Sequence, residues 1–245
     1  MLKVLSIALL AFTFSNTVHA EDLNSPYFQI KSHSITEVPV DASTMKNLRS
    51  NQELLKIRRA QGEKDGLDDV LGDILNPVKE VDATLDVIIN MGAKIWKIFE
   101  ASTPVVNLST KRANAIPREA TDWRDMADWS DVQARQYSVS YKNAFNSEVV
   151  RFSVLMTYTY NGTHKGKGKY LSDVGFLVNE YWVAPLYKLE GESEVVRVQN
   201  VGRADAPIAA MELNMVWRVS TVLVKSQNAI NYYVRGDGPL TVREL

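Results

Sequence analysis

Between Val150 and Tyr160 the side chains alternate, with Val150, Phe152, Val154, Met156, Tyr158 and Tyr160 on one side and Arg151, Ser153, Leu155, Thr157 and Thr159 on the other. Only an extended backbone sends every second residue to one face, so the segment predicts a strand with one side in a core. The row Met211, Leu213, Met215, Trp217 and Val219, set against Glu212, Asn214, Arg218 and Ser220, repeats the pattern. Asn161-Gly162, Asn200-Val201-Gly202 and Gly236-Asp237-Gly238 read as turns. Strands are predicted near 136–143, 148–160, 168–178, 181–188, 194–200, 210–224 and 229–235. Antiparallel strands joined by short turns favour a sandwich, with the two long rows on its inner faces and Thr157 on the tolerant outer face.

Upstream the period changes. Asp41, Ser43 or Thr44 can cap a helix through Met45, Leu48, Leu54, Leu55 and Ile57, with Lys56, Arg58 and Arg59 near its end. A second helix is predicted from Gly66 through Leu67, Val70, Leu71, Ile74 and Leu75. A third is predicted over 78–101, where Val78, Val81, Leu85, Ile88, Ile89, Ile95, Trp96 and Phe99 keep helical spacing behind Pro77.

The N-terminus reads as an export signal. Lys3 gives a positive start, Val4 to Phe14 is an apolar run, and Val18-His19-Ala20 places small residues at the −3 and −1 positions of a cleavage site. The run rises only about 16 Å as a helix, against roughly 30 Å of hydrocarbon, which favours cleavage over anchoring. The mature chain is therefore expected in the periplasm or secreted. It contains no cysteine, so it must be held by its core rather than by disulfides. A hydrophobic fraction of 45% makes such a core possible, and a net charge of −1 argues against nucleic acid as the partner.

The chain thus divides into a signal peptide at 1–20, an extended leader at 21–41, a helical region at 42–102, a connector at 103–135 and an antiparallel β-sandwich domain at 136–245. The expected fold class is α+β, with N-terminal amphipathic helices ahead of the sandwich.

Residue types narrow the chemistry. Beyond the signal the chain has only His33 and His164, and with no cysteine it has no thiolate nucleophile and no thiolate or three-histidine zinc site. Neither glycine-rich phosphate loop nor dinucleotide fingerprint is present. No cofactor, no metal and no catalytic residue is assigned. Carboxylate chemistry needs only Asp and Glu, and Asp122, Asp125, Asp128 and Asp131 recur every third residue beside Trp123 and Trp129. On a helix these acids would drift around one side and could flank a sugar or a cation. As caps and turns they would do neither, and the tryptophans would pack on the sheet.

Two further features suggest surfaces. Lys165, Lys167 and Lys169 in the predicted hairpin Asn161–Tyr170 would form a basic ridge on one strand face, suited to an acidic partner or to guarding an exposed edge. Adjacent Tyr181 and Trp182 cannot both point inward on a regular strand, so at least one is exposed or lies at a bulge; the pair is the best pointer to a binding surface. The expected function is non-catalytic binding to a carbohydrate or protein surface. The alternative is peripheral membrane contact through the helix at 78–101, where Lys94 and Lys97 accompany Trp96 and Phe99. A carboxylate-based hydrolase and an outer-membrane β-barrel are the remaining alternatives.

Overall fold

The computed structural model describes residues 25–61, 88–104, 112–120 and 122–245. The signal peptide at 1–20 and the helix expected from Gly66 lie outside those residues. The described part is mostly antiparallel β-sheet with one helix. Its elements are β1 (Ile30–Val38), α1 (Ala42–Ala60), β2 (Ile88–Asn90), β3 (Ile95–Glu100), β4 (Thr103–Pro104), β5 (Ala113–Pro117), β6 (Met126–Ala127), β7 (Gln133–Asn143), β8 (Glu148–His164), β9 (Lys167–Val183), β10 (Lys188–Asn200), β11 (Ala209–Ser220), β12 (Lys225–Arg235) and β13 (Leu240–Glu244). One sheet runs β1-β7-β8-β9-β5-β2 with β6 beside β8; the other runs β13-β12-β11-β10-β3-β4. Both paths end in edge strands, so the described strands do not close into a barrel.

The alternating rows face each other across the core. Phe152 of β8 meets Phe99 and Trp217, with ring centroids 5.1 and 5.7 Å apart, and Tyr232 of β12 meets Tyr137 and Phe176 at 5.7 and 5.0 Å. Val150, Phe152, Val154, Met156, Met211, Leu213, Met215 and Trp217 are all buried. Each such side chain contributes about 1.5–3 kcal/mol by leaving water. The Trp217 Nε1–H donates to Tyr141 Oη at 2.8 Å and Asn228 Nδ2 donates to the same oxygen at 2.6 Å, so the indole N–H is satisfied in the core.

Several expectations are corrected. No helix runs over 88–100: Ile88–Asn90 and Ile95–Glu100 are strands, and residues 78–87 lie outside the described residues. The membrane-facing helix drawn there is therefore overturned for 88–100, since Trp96, Ile98 and Phe99 point into the core and Lys94 and Lys97 point out. The cause is a bulge. Phe99 pairs with Gly191 and Lys97 with Glu192, leaving Ile98 with no residue opposite, so Trp96, Ile98 and Phe99 are buried with a spacing that imitates a helix. The extended leader holds β1, which shows no apolar alternation because it is a mostly exposed edge strand. The turn expected at Asn161-Gly162 lies at Lys165-Gly166, where φ is +51° and +72°. Thr157 is not on an open face: it is 3% exposed, and Ser153, Leu155 and Thr159 beside it are buried too.

The first expected helix is present as α1, capped by Asp41, whose carboxylate accepts from the Thr44 N–H at 2.8 Å. Polar anchors rather than an apolar stripe hold α1, since Leu54 and Ile57 are exposed and Gln52 is its buried residue. Gln52 Nε2 donates to Ser130 O at 2.8 Å, and its Oε1 accepts from Val132 N at 2.9 Å. Arg59 clamps the buried Asp173 of β9 through two bonds of 2.9 and 3.1 Å, and Arg112 approaches to 3.3 Å. Burial raises the Asp173 pKa, but Arg59, Arg112 and the Ser172 hydroxyl outweigh it and hold the carboxyl below its ordinary range.

Candidate binding site

The segment after β5 is positioned by short-range caps. Asp122 accepts from the Arg124 N–H at 2.8 Å and closes the 3-10 turn Trp123–Asp125, and the Arg124 guanidinium pairs with it at 2.5 Å. Those bonds lower the Asp122 pKa to about 2. Asp128, at φ +59°, turns the chain and accepts from Thr163 Oγ1 at 2.7 Å; Asp125 and Asp131 are exposed. The four acids therefore do not converge. Among the described residues no group of three His, Asp or Glu could hold a metal ion.

The tryptophans between them do converge. Trp123 and Trp129 lie with ring centroids 6.2 Å apart and planes at 56°, forming an open V. The Arg59 guanidinium covers Trp123 at 4.0 Å from the ring centroid while it holds Asp173. Trp129 rests on Gly162 of β8, where a Cβ would come within 2.3 Å of the indole, so only glycine allows the ring to lie this close to the strand. The V opens into a cleft of about 500 Å³ lined also by Lys56, Arg124, Met126 and Asp128. With Arg59 included, three cations and the Asp128 carboxylate line this space, and the cations Lys56, Arg59 and Arg124 are paired with Glu53, Asp173 and Asp122. Sequence spacing alone gave the aromatic pair; the cations of α1 could not be placed there from the sequence.

Lys165, Lys167 and Lys169 are all exposed, but Lys165 sits in the turn rather than on a strand face with the other two. They occupy the end of the molecule where Lys169 N donates to Pro207 O and Asn161 N donates to Gly236 O. Nearby, Arg235 and Asp237 pair with each other at 2.7 Å. Tyr181 and Trp182 are 45% and 43% exposed, just after a bulge at Asn179, since Ser153 pairs with Glu180 and Val154 with Val178. They stand at the other end of β9, on the order of 40 Å from the lysines, so these two features do not share a site.

The two histidines lie apart on different strands. His33 stacks on Tyr141 at 5.5 Å; His164 is buried at the far end of β8, with Nδ1 3.3 Å from Glu119. No family model matches the chain, and no curated protein or solved structure matches it.

Proposed function

We propose that this is an exported, non-catalytic binding protein, a β-sandwich carrying one helix, whose Trp123–Trp129 cleft takes an acidic saccharide. The observation that carries the reading is the tilted indole pair opening into a cleft rimmed by Lys56, Arg59 and Arg124. Sugar rings present apolar C–H faces that pack on indoles, and cations beside the aromatic surface select a carboxylate-bearing ring over a neutral one. Arg59 is fixed by Asp173, so one wall of the cleft is set before any ligand arrives.

Titration with uronic acid oligosaccharides, followed by intrinsic tryptophan fluorescence and calorimetry, tests it. Binding should weaken roughly tenfold in Trp129→Ala, the size expected for a lost aromatic contact. Arg124→Gln, on an exposed side chain, should weaken acidic oligosaccharides selectively and leave the melting temperature unchanged. Equal binding of neutral and acidic oligosaccharides, or none of either, would sink the reading.

A further inference from the structure

One end of the molecule gathers three loops that are remote in sequence. They are the β7–β8 turn at 144–147, the β9–β10 connection at 184–187 and the β11–β12 turn at 221–224. Each presents a large apolar side chain to solvent: Phe145 at 61%, Leu186 at 66%, and Val222 and Leu223 at 64% and 43%. The 3-10 turn Pro26–Phe28 ties all three together. Ala144 N donates to Gln29 O at 3.0 Å, Tyr27 Oη to Pro185 O at 2.7 Å, Thr221 Oγ1 to Phe28 O at 3.0 Å, and Tyr187 Oη to Tyr27 O. The apolar tips are thus held outward instead of folding back on the core.

Leu186 holds a costly backbone conformation. Its φ is +67°, a left-handed conformation that suits Gly or Asn and penalises a bulky side chain. Asn146 in the neighbouring turn, at φ +62°, is the residue type such a position favours. A leucine that is both strained and two-thirds exposed does nothing for the fold, which directs attention to a partner outside it.

Behind the tips lies a second layer. Tyr181 and Trp182 flank the apolar crown, and Lys31, Lys142, Lys188 and Lys225 are exposed around it, with no ion pair among the described residues. Among the nearby acids, Glu148 and Glu180 share Arg151 at 2.9 and 3.1 Å, and Glu190 lies 3.9 Å from Arg218. Apolar tips, amphipathic aromatics and free lysines in that order match the layers of an anionic bilayer surface: acyl boundary, headgroups and surface charge.

We infer that this end docks peripherally on an anionic phospholipid surface, with Phe145, Leu186, Val222 and Leu223 entering the headgroup–acyl boundary and the lysines meeting lipid charge. Exposed apolar tips on three separate loops suit a deformable planar partner, and the lysine collar commits that partner to an anionic one. This surface is remote from the tryptophan cleft, which lies near the other end of β8, so either reading can fail without the other.

Co-sedimentation of the full mature chain with vesicles of phosphatidylcholine alone, or mixed with phosphatidylglycerol, tests the inference. The protein should pellet with the mixed vesicles, much less with neutral ones, and less as salt rises. The triple variant Phe145→Ser, Leu186→Ser, Val222→Ser should lose roughly tenfold or more of that binding with an unchanged melting temperature, because its sites are exposed. Lys142→Gln with Lys188→Gln and Lys225→Gln should weaken binding to mixed vesicles alone. Absence of pelleting, or equal pelleting of the triple serine variant, would overturn the inference. So would light scattering that showed the serine variant splitting a dimer that binds no vesicle, since the crown would then be an interface between copies.

Discussion

Two tyrosines of the core show how one hydroxyl group can have opposite worth. Tyr141 Oη accepts from both Trp217 and Asn228, whereas the Tyr232 hydroxyl is buried with no hydrogen-bond partner among the described residues. Tyr141→Phe should strand the buried indole N–H and cost about 1–3 kcal/mol, while Tyr232→Phe should be neutral or slightly stabilising. Urea unfolding of the two variants checks this, and equal losses would contradict it. Asp173 supplies the matching case for charge. Asp173→Ala leaves Arg59 and Arg112 facing each other and should cost about 3–5 kcal/mol. Because the folded pKa of Asp173 is depressed, its contribution is fully present above the unfolded carboxylate value of about 3.9 and disappears as pH falls through the folded value. Unfolding of the parent between pH 6 and pH 2.5 (roughly the carboxylate window) should steepen at its acid end, and the variant should show a flatter profile there.

At the scale of elements, the strands that were legible are those that alternate without interruption. β8 and β11 declare themselves through Val150 to Tyr158 and Met211 to Val219 because no bulge breaks those inner rows. The spacing of β3 imitates a helix because its bulge at Ile98 buries two consecutive residues, and the pattern of β9 breaks in two because Asn179 is bulged. β1 gave no signal, since an edge strand open to solvent on one side needs few apolar residues. The acid spacing at 122–131 suggested a carboxylate site, yet the acids are short-range caps, and it is the two tryptophans between them that meet. The outer face of β8 is buried like the inner one. With Thr157 at 3% exposure, Thr157→Asp should bury a charge as Val154→Asp does, and both should unfold the protein. A Thr157→Asp variant that kept its melting temperature would show that this face opens to water in solution.

For the whole molecule, the N-terminal arm is the element on which both sheets and the apolar end depend. β1 pairs with β7 from Ile30 opposite Asn143 to Val38 opposite Gln136, joining segments about a hundred residues apart in the chain. The turn ahead of it bonds to a loop of each sheet and to the connection between them, which no local sequence pattern could announce, because each partner is a single backbone N–H, backbone carbonyl or side-chain hydroxyl. With no cysteine to staple the ends, these bonds take the place of a covalent tie. Removing the arm would unpair the β7 edge and invite aggregation, so the gentler Tyr27→Phe is the better test. It deletes only the hydrogen bond to Pro185 O and leaves the ring against Tyr187, whose centroid lies 5.6 Å away. Amide exchange at Tyr187 should then quicken several-fold, consistent with about 0.5–1.5 kcal/mol for one lost hydrogen bond. Amides at Arg203 and Ala206, which bond to each other at the opposite end, should keep their protection. Faster exchange at both ends would mean that Tyr27 stabilises the fold globally, and no change at Tyr187 would mean that the arm does not hold the loop.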